Sequence, residues 1–320
     1  MRDNSLDIPA RAWAELLLLG LIWGGSFLAI AFALREIGPL TAVLHRTGWA
    51  AALLWLVVLL RGEQVPREWR IWLGFLVMGL LNNVIPFSLM AWGQTQIETG
   101  LTAILNAFTA VLALPVAALF LADQRLTGRR LLGVGLGFAG VVVAVGADAL
   151  GSFDLRALGQ IAVLGGTLSY ALASVWGRVM LGSLPPVVAA AGMTGAATLI
   201  MAPVALVFEG VPSLALSIDA WAGIAYYALG GTALAYLLYY RILAMAGPAN
   251  LMLVTLLIPV VSIALGAAVL GERLTQAAWI GFALLALGLM IIDGRLPRRL
   301  MGLLPAGGVP EARQGDKGAP

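Results

Sequence analysis

Residues 125–146 read RLTGRRLLGVGLGFAGVVVAVG, and residues 273–294 read RLTQAAWIGFALLALGLMIIDG. A shift of 148 residues lays Arg125-Leu126-Thr127, Gly133, Leu136, Gly140 and Gly146 onto Arg273-Leu274-Thr275, Gly281, Leu284, Gly288 and Gly294. Nearby shifts relate Trp72-x-Gly74 to Trp221-x-Gly223, and Pro39 with Gly48 to Pro186 with Gly195. The likeness therefore runs through most of each half, and the chain reads as one unit written twice.

What the unit is follows from composition. The chain has 320 residues, 61% of them hydrophobic and only 11% charged, against about a quarter charged in ordinary globular chains. Ten long uncharged stretches lie between the charges. A hydrocarbon core roughly 30 Å thick needs about 20 helical residues, so ten spans consume nearly the whole sequence and leave no room for a soluble enzyme or a nucleic-acid-binding domain. The fold class expected is an all-α integral membrane protein with helices near 12–34, 40–60, 70–92, 97–121, 130–147, 157–178, 186–208, 219–241, 248–270 and 276–293. Five spans per copy is an odd number, so the second copy enters the membrane from the opposite side and the two repeats are inverted. The first repeat is placed at 12–149 and the second at 150–294. Residues 302–320, rich in Gly, Pro and charge, are expected to form a disordered cytoplasmic tail.

The net charge of +3 is not a nucleic-acid signature, because the basic residues sort by membrane side. Fifteen of the nineteen Lys and Arg fall on the side of the N-terminus; Arg35, Arg156 and Arg273 fall on the other, and Arg46 lies within the second span. The positive-inside rule then makes both termini cytoplasmic. The absence of cysteine excludes disulfides and thiolate metal sites and suits a bacterial inner membrane. The 19-residue uncharged stretch after Glu15 reads as a first span rather than as a cleaved signal core.

Trp23-Gly24-Gly25-Ser26-Phe27 in the first span, proline within the fourth and ninth spans, Leu270-Gly271-Glu272-Arg273-Leu274-Thr275 before the tenth, and the five-plus-five duplication together resemble the EamA family of the drug/metabolite transporter superfamily. The resemblance covers about residues 12–294. The first-half copy of the Gly-Glu-Arg-Leu-Thr motif departs from it, reading Asp123-Gln124-Arg125-Leu126-Thr127. The resemblance implies export of small metabolites from a central cavity lined by spans 1, 3, 4, 6, 8 and 9, and the overall character is similar to that of YddG-type exporters of aromatic and other neutral amino acids.

Polar residues inside spans are costly against lipid, so a stripe of them at helical spacing points to a protein interior or to water. Thr95, Thr99, Thr102, Asn106 and Thr109 form such a stripe on the fourth span, within a strip roughly 80° wide at about 100° per residue. Trp23 and Ser26, Asn82 and Asn83, the Thr167, Tyr170 and Ser174 face, the Thr232, Tyr236 and Tyr239 face, and the Thr255, Pro259 and Ser262 face fall at similar depth. Any single Ser or Thr could simply glue helices together. Taken together, Trp23, Ser26, Asn82, Asn83, Thr102, Asn106, Thr109, Tyr170, Ser174, Thr232, Tyr236, Tyr239, Thr255 and Ser262 are expected to line a substrate site at the repeat interface. Pro86, Pro115 and Pro259, each removing a backbone bond inside a span, are candidate gates.

Other motifs carry less. Gly135-x-Gly137-x-x-Gly140 matches a dinucleotide pattern but lies in a membrane helix, where glycines permit close packing, as Gly133-x-x-x-Gly137 and Gly20-x-x-x-Gly24 also would. His45, the only histidine, lies near the external end of span two, too shallow for a proton relay. Glu15 follows Arg11 by four residues in the first turn and reads as interfacial. No cofactor or metal is expected, the lipid bilayer and a small-molecule substrate are the partners, and one copy should suffice. The favoured function is export of neutral metabolites, most of all aromatic or other neutral amino acids, by alternating access. The alternative is a proton-coupled exporter of broad drug and metabolite specificity; an intramembrane enzyme, lacking a buried Ser-His pair or an acid cluster, is the distant one.

Overall fold

The computed structural model describes residues 9–121, 127–145, 155–251 and 254–293. The tail at 302–320, the junction between the repeats at 149 and 150, and Arg125 and Leu126 of the repeated motif lie outside them. Among the described residues the chain is helical throughout: α1 (Ala10–Ala33), α2 (Pro39–Arg61), α3 (Trp69–Gln94), α4 (Thr99–Phe120), α5 (Gly128–Val145), α6 (Leu155–Leu181), α7 (Pro186–Phe208), α8 (Ile218–Ala246), α9 (Val254–Leu270) and α10 (Gln276–Ile292). The first eight are long and apolar enough to cross a membrane; α9 and α10 are shorter.

Local chemistry sets the ends. Pro39 and Pro186 occupy the first positions of α2 and α7, where the missing N–H costs nothing and φ is preset. Gly62 and Gly271, at φ 64° and 69°, close α2 and α9 in the left-handed conformation that other residues avoid. Two ends differ from expectation. Thr95 does not join the α4 stripe: it closes α3, its backbone N–H and hydroxyl both donating to the Trp92 carbonyl. Extended backbone at Glu98 then starts α4 at Thr99. Pro248, expected to open span nine, lies inside a helix that runs from Ala235 to Leu251, and the next begins at Val254.

The packing partners exchange into one another when the two halves are swapped. α1 packs on α8 as α6 packs on α3, α1 on α9 as α6 on α4, and α2 on α8 as α7 on α3; α2 pairs with α7, and α5 with α10. The α5–α10 seam shows why the repeated glycines recur. A Cβ on Gly133 would sit 2.7 Å from the Gly288 carbonyl, and one on Gly140 2.7 Å from the Gly281 carbonyl. Gly281 and Gly288 face Gly140 and Gly133 in return, at 2.5 and 2.6 Å. Residue i meets the repeat-mate of residue j, and j meets that of i, so the seam is self-complementary. Only glycine lets the two backbones approach so closely. Gly20 and Gly24 likewise admit Leu257 and Val261 of α9.

Candidate functional site

Two helices widen into π-helical turns at mid-length, and they are repeat-mates. α3 widens into a π-helical turn at Leu80–Val84, ended by Ile85-Pro86 at the start of the next α segment, and α8 widens at Tyr226–Leu234. Such turns leave carbonyls without their usual partner, and they recur at functional sites. In α8 the hydroxyl of Thr232 donates to the Tyr227 carbonyl five residues back, bonding an oxygen that the wide turn exposes. The π segment of α3 is joined through polar side chains to Tyr236, which lies just past the π segment of α8. Asn82 Nδ2 donates to the Tyr236 hydroxyl at 3.1 Å, and that hydroxyl donates to Asn83 Oδ1 at 3.2 Å. Asn83 is fully buried, and its Nδ2 has no partner among the described residues.

Arg46 of α2 completes the cluster. Its Nε donates to Thr232 Oγ1 at 3.0 Å, and its guanidinium lies 3.8 Å from the Phe87 ring centroid, a cation–π stack. Tyr170 packs edge-on against Phe87 at 6.3 Å between centroids, and Tyr170, Tyr227 and Tyr236 are the electrostatic neighbours of the guanidinium. Residues from α2, α3, α6 and α8 thus meet at one place. A second group adjoins through α8: the Trp23 indole N–H donates to the Gly231 carbonyl at 3.1 Å, and its ring lies 6.0 Å from Tyr239.

Of the residues chosen from the sequence, Asn82, Asn83, Tyr170, Thr232 and Tyr236 are brought together around Arg46, and Trp23 and Tyr239 stand beside them. Others are placed differently. The hydroxyls of Ser26, Thr102 and Ser174 donate to carbonyls of their own helices, at Ile22, Glu98 and Ala171. Ser262 ties α9 to α4 by donating to the Thr99 carbonyl. Asn106 and Thr255 are half-buried. The Thr109 hydroxyl is buried without a partner among the described residues. Pro115 and Pro259 lie inside α-helical stretches of α4 and α9, and α4 is interrupted nearby at Phe108. Sequence reading noticed Arg46 inside a span without assigning it a role; a lone cation in an uncharged run was the available signal.

Carboxylates brace the end of the molecule that holds the N-termini of α2, α4 and α8. Glu209 accepts from the backbone N–H groups of Leu40 and Thr41 at 2.9 and 2.7 Å, and Glu272 from those of Thr99 and Gly100 and from the Thr99 hydroxyl. The caps of α2 and α4 lack side-chain bonds of their own, so acids from α7 and from the turn after α9 supply them, where the helix dipole also favours negative charge. Glu36 accepts from the Ser217 N–H and hydroxyl, which hold its carboxyl below the usual range. Glu98 pairs with Arg156 at 2.9 Å. At the opposite end Glu15 bonds Arg11, as its spacing suggested, and also Arg241 of α8 at 2.6 Å. Two cavities open away from the cluster. One, of about 280 Å³, lies beside Glu272 and Trp279, and the other, of about 260 Å³, between α1 and α8 beside Phe32 and Tyr226.

Residues 12–146 and 157–293 each match the model of the EamA-like transporter family. The chain is 25% identical over 283 residues to the uncharacterized inner membrane transporter YedA of Escherichia coli (strain K12), covering 88% of this chain and 90% of that protein. It is 25% identical over 280 residues to protein PecM of Dickeya dadantii (strain 3937), covering 85% and 89%. A solved structure described only as a protein crystal structure superposes with a TM-score of 0.66 at 22% identity, over 91% of this chain and 99% of that one, a likeness of fold. Two family matches in tandem, multiple apolar helices and a helix pairing that interchanges between the halves have one reading: this is a multi-pass membrane protein of the EamA-like transporter family.

Proposed function

We propose that the protein is a secondary transporter of a bacterial inner membrane, with both termini cytoplasmic, that exports small metabolites carrying a polar head on an apolar body, aromatic and other neutral amino acids first among them. The observation that carries this reading is the Asn82–Tyr236–Asn83 chain of hydrogen bonds, which joins the π segment of α3 to its repeat-mate α8 just past the π segment of that helix. Substrate sites of inverted-repeat transporters lie at such a junction, near the bilayer midplane and beside interrupted helices. Aromatic side chains with neutral hydrogen bonders can hold an apolar body and orient its head. Alternating access then consists of rocking one repeat against the other about this junction, with the bends at Pro86, Pro115 and Pro259 absorbing the change. One copy suffices, because the second repeat supplies what a partner subunit would.

The test is flux. Purified protein in liposomes, loaded with labelled L-phenylalanine or L-leucine, should exchange label with unlabelled amino acid outside, whereas a labelled cationic drug should not exchange. Drug exchange without amino-acid exchange would replace this reading with the drug-exporter alternative.

A further inference from the structure

The central cluster has more donors than acceptors. Thr232 Oγ1 donates to the Tyr227 carbonyl and accepts from Arg46 Nε. The Tyr236 hydroxyl accepts from Asn82 and donates to Asn83. In these pairings the Thr232 and Tyr236 hydroxyls and Asn83 Oδ1 each accept one bond, and none of them goes to the terminal nitrogens of Arg46. Left over among the described residues are the terminal nitrogens of Arg46, which have no hydrogen-bond or ion-pair partner, and Asn83 Nδ2. Arg46 retains accessible surface although aromatic side chains from several helices surround it, so it is not sealed on every side by packed protein.

The charge is unbalanced as well. A guanidinium stays protonated in any protein environment, and an unpaired one inside a membrane is expensive unless something anionic answers it. The described acids with a bonding role are engaged elsewhere: Glu15 with Arg11 and Arg241, Glu98 with Arg156, and Glu36, Glu209 and Glu272 at helix N-termini. The stack on Phe87 and the Nε bond to Thr232 fix the plane of the guanidinium. That leaves its forked terminal edge, the part that matches a carboxylate with two parallel bonds.

We infer that Arg46 is the anion anchor of the substrate site: it takes the carboxylate of an organic acid or amino acid whose apolar body lies among the surrounding aromatic rings. The inference rests on reading the cluster as the transport site and adds to it the charge class of the substrate. A carboxylate is required, an ammonium is not, and cations without a carboxylate are repelled.

Binding to detergent-purified protein tests this without flux. The probes are L-phenylalanine, L-leucine and 3-phenylpropionate, each beside its own amide, together with phenethylamine; competition against labelled L-phenylalanine is the readout. Wild type should bind the three carboxylates and discriminate at least tenfold against every amide and against phenethylamine. Arg46→Leu should lose that discrimination, its carboxylate affinity falling at least tenfold. Arg46→Lys, which keeps the charge but not the fork, should weaken binding less while preserving the preference, and it serves as the test variant if Arg46→Leu does not elute like wild type. Unchanged discrimination in Arg46→Leu, wild-type carboxylate affinity in Arg46→Lys, equal binding of amide and acid, binding of none of the carboxylates, or competition by chloride or phosphate alone as strong as by the carboxylates would each overturn the assignment. Carboxylate binding that depends on Arg46 with no flux in liposomes would sink the transport reading and spare the anchor. Flux indifferent to the carboxylate would do the reverse.

Discussion

The α5–α10 seam and the central cluster are both junctions between repeats, and they are built on opposite rules. At the seam Gly133, Gly140, Gly281 and Gly288 bring regular helices to backbone contact, and no polar side chain is needed. In the cluster the helices widen into π turns, bulky aromatics hold them apart, and a cation sits among hydrogen bonders. Close packing resists change because its contacts cannot be made gradually. A polar cluster with spare donors is completed only by something from outside. The difference suits the seam to holding the two repeats together and, under the proposed function, the cluster to meeting the substrate.

The seam offers the largest expected effect. Gly281→Leu forces a side chain onto Ala144 and the Gly140 carbonyl, where even a Cβ would sit at 2.5 Å. Overpacking of this kind typically costs 1–3 kcal/mol, and more when, as here, the obstacle is backbone. Yield and melting temperature in detergent should fall sharply. Gly135→Leu, on the exposed side of α5 away from the seam, with nothing within 4 Å of its Cβ position, should be tolerated. Equal behaviour of the two variants would remove the seam from the account.

In the cluster the order of effects reverses, with function lost before stability. Tyr236→Phe deletes one hydroxyl and strands Asn82 Nδ2 and Asn83 Oδ1, a loss of about 1–3 kcal/mol for unpaired buried groups. Flux should fall severalfold while gel-filtration behaviour stays that of wild type. Asn106→Leu, which removes a half-buried polar group from α4, should also slow flux if the cavity extends to that helix. Wild-type flux in Asn106→Leu with impaired flux in Tyr236→Phe would confine the site to the junction of α2, α3, α6 and α8.

The carboxylate-braced end gives smaller effects. Glu272→Gln keeps an acceptor but loses the charge that answers the α4 dipole, at a cost of about 1 kcal/mol, visible as a melting temperature a few degrees lower. Glu36 gives a pH test. Its carboxyl is held below the usual value of 4.5 by Ser217, so the bond stabilises the fold above that value and its contribution is lost as pH falls through the lowered one. The melting-temperature difference between wild type and Glu36→Gln should be small at neutral pH, since the group is exposed. It should close on acidification; a difference that grew instead would contradict the assignment.

How legible these parts were follows from what creates them. The seam could be read because close approach demands glycine at fixed spacing, and the same glycines recur 148 residues later. Asn82, Asn83 and Tyr236 could be read as polar residues at depth. Their bonding to one another could not, because it depends on two π turns that no composition rule predicts. Ser26, Thr102 and Ser174 carry the same signal as Thr232, yet their hydroxyls turn back on their own carbonyls, a choice made by rotamers and not by spacing. Arg46 was visible as a charge in an apolar run, but its meaning lies in Phe87 and Thr232, which lie 41 and 186 positions away.

The most direct measurement of the central claim is counterflow of labelled L-phenylalanine into preloaded proteoliposomes at equal internal and external pH with an uncoupler present, comparing wild type with Tyr236→Leu. The described acids with a bonding role, Glu15, Glu36, Glu98, Glu209 and Glu272, are helix caps or ion-paired away from the cluster, so substrate movement should need no proton gradient. Transient accumulation of label in wild type and its near-loss in correctly inserted Tyr236→Leu are the predicted results. Equal counterflow in both proteins, or counterflow in wild type only under an imposed pH gradient, would contradict the account.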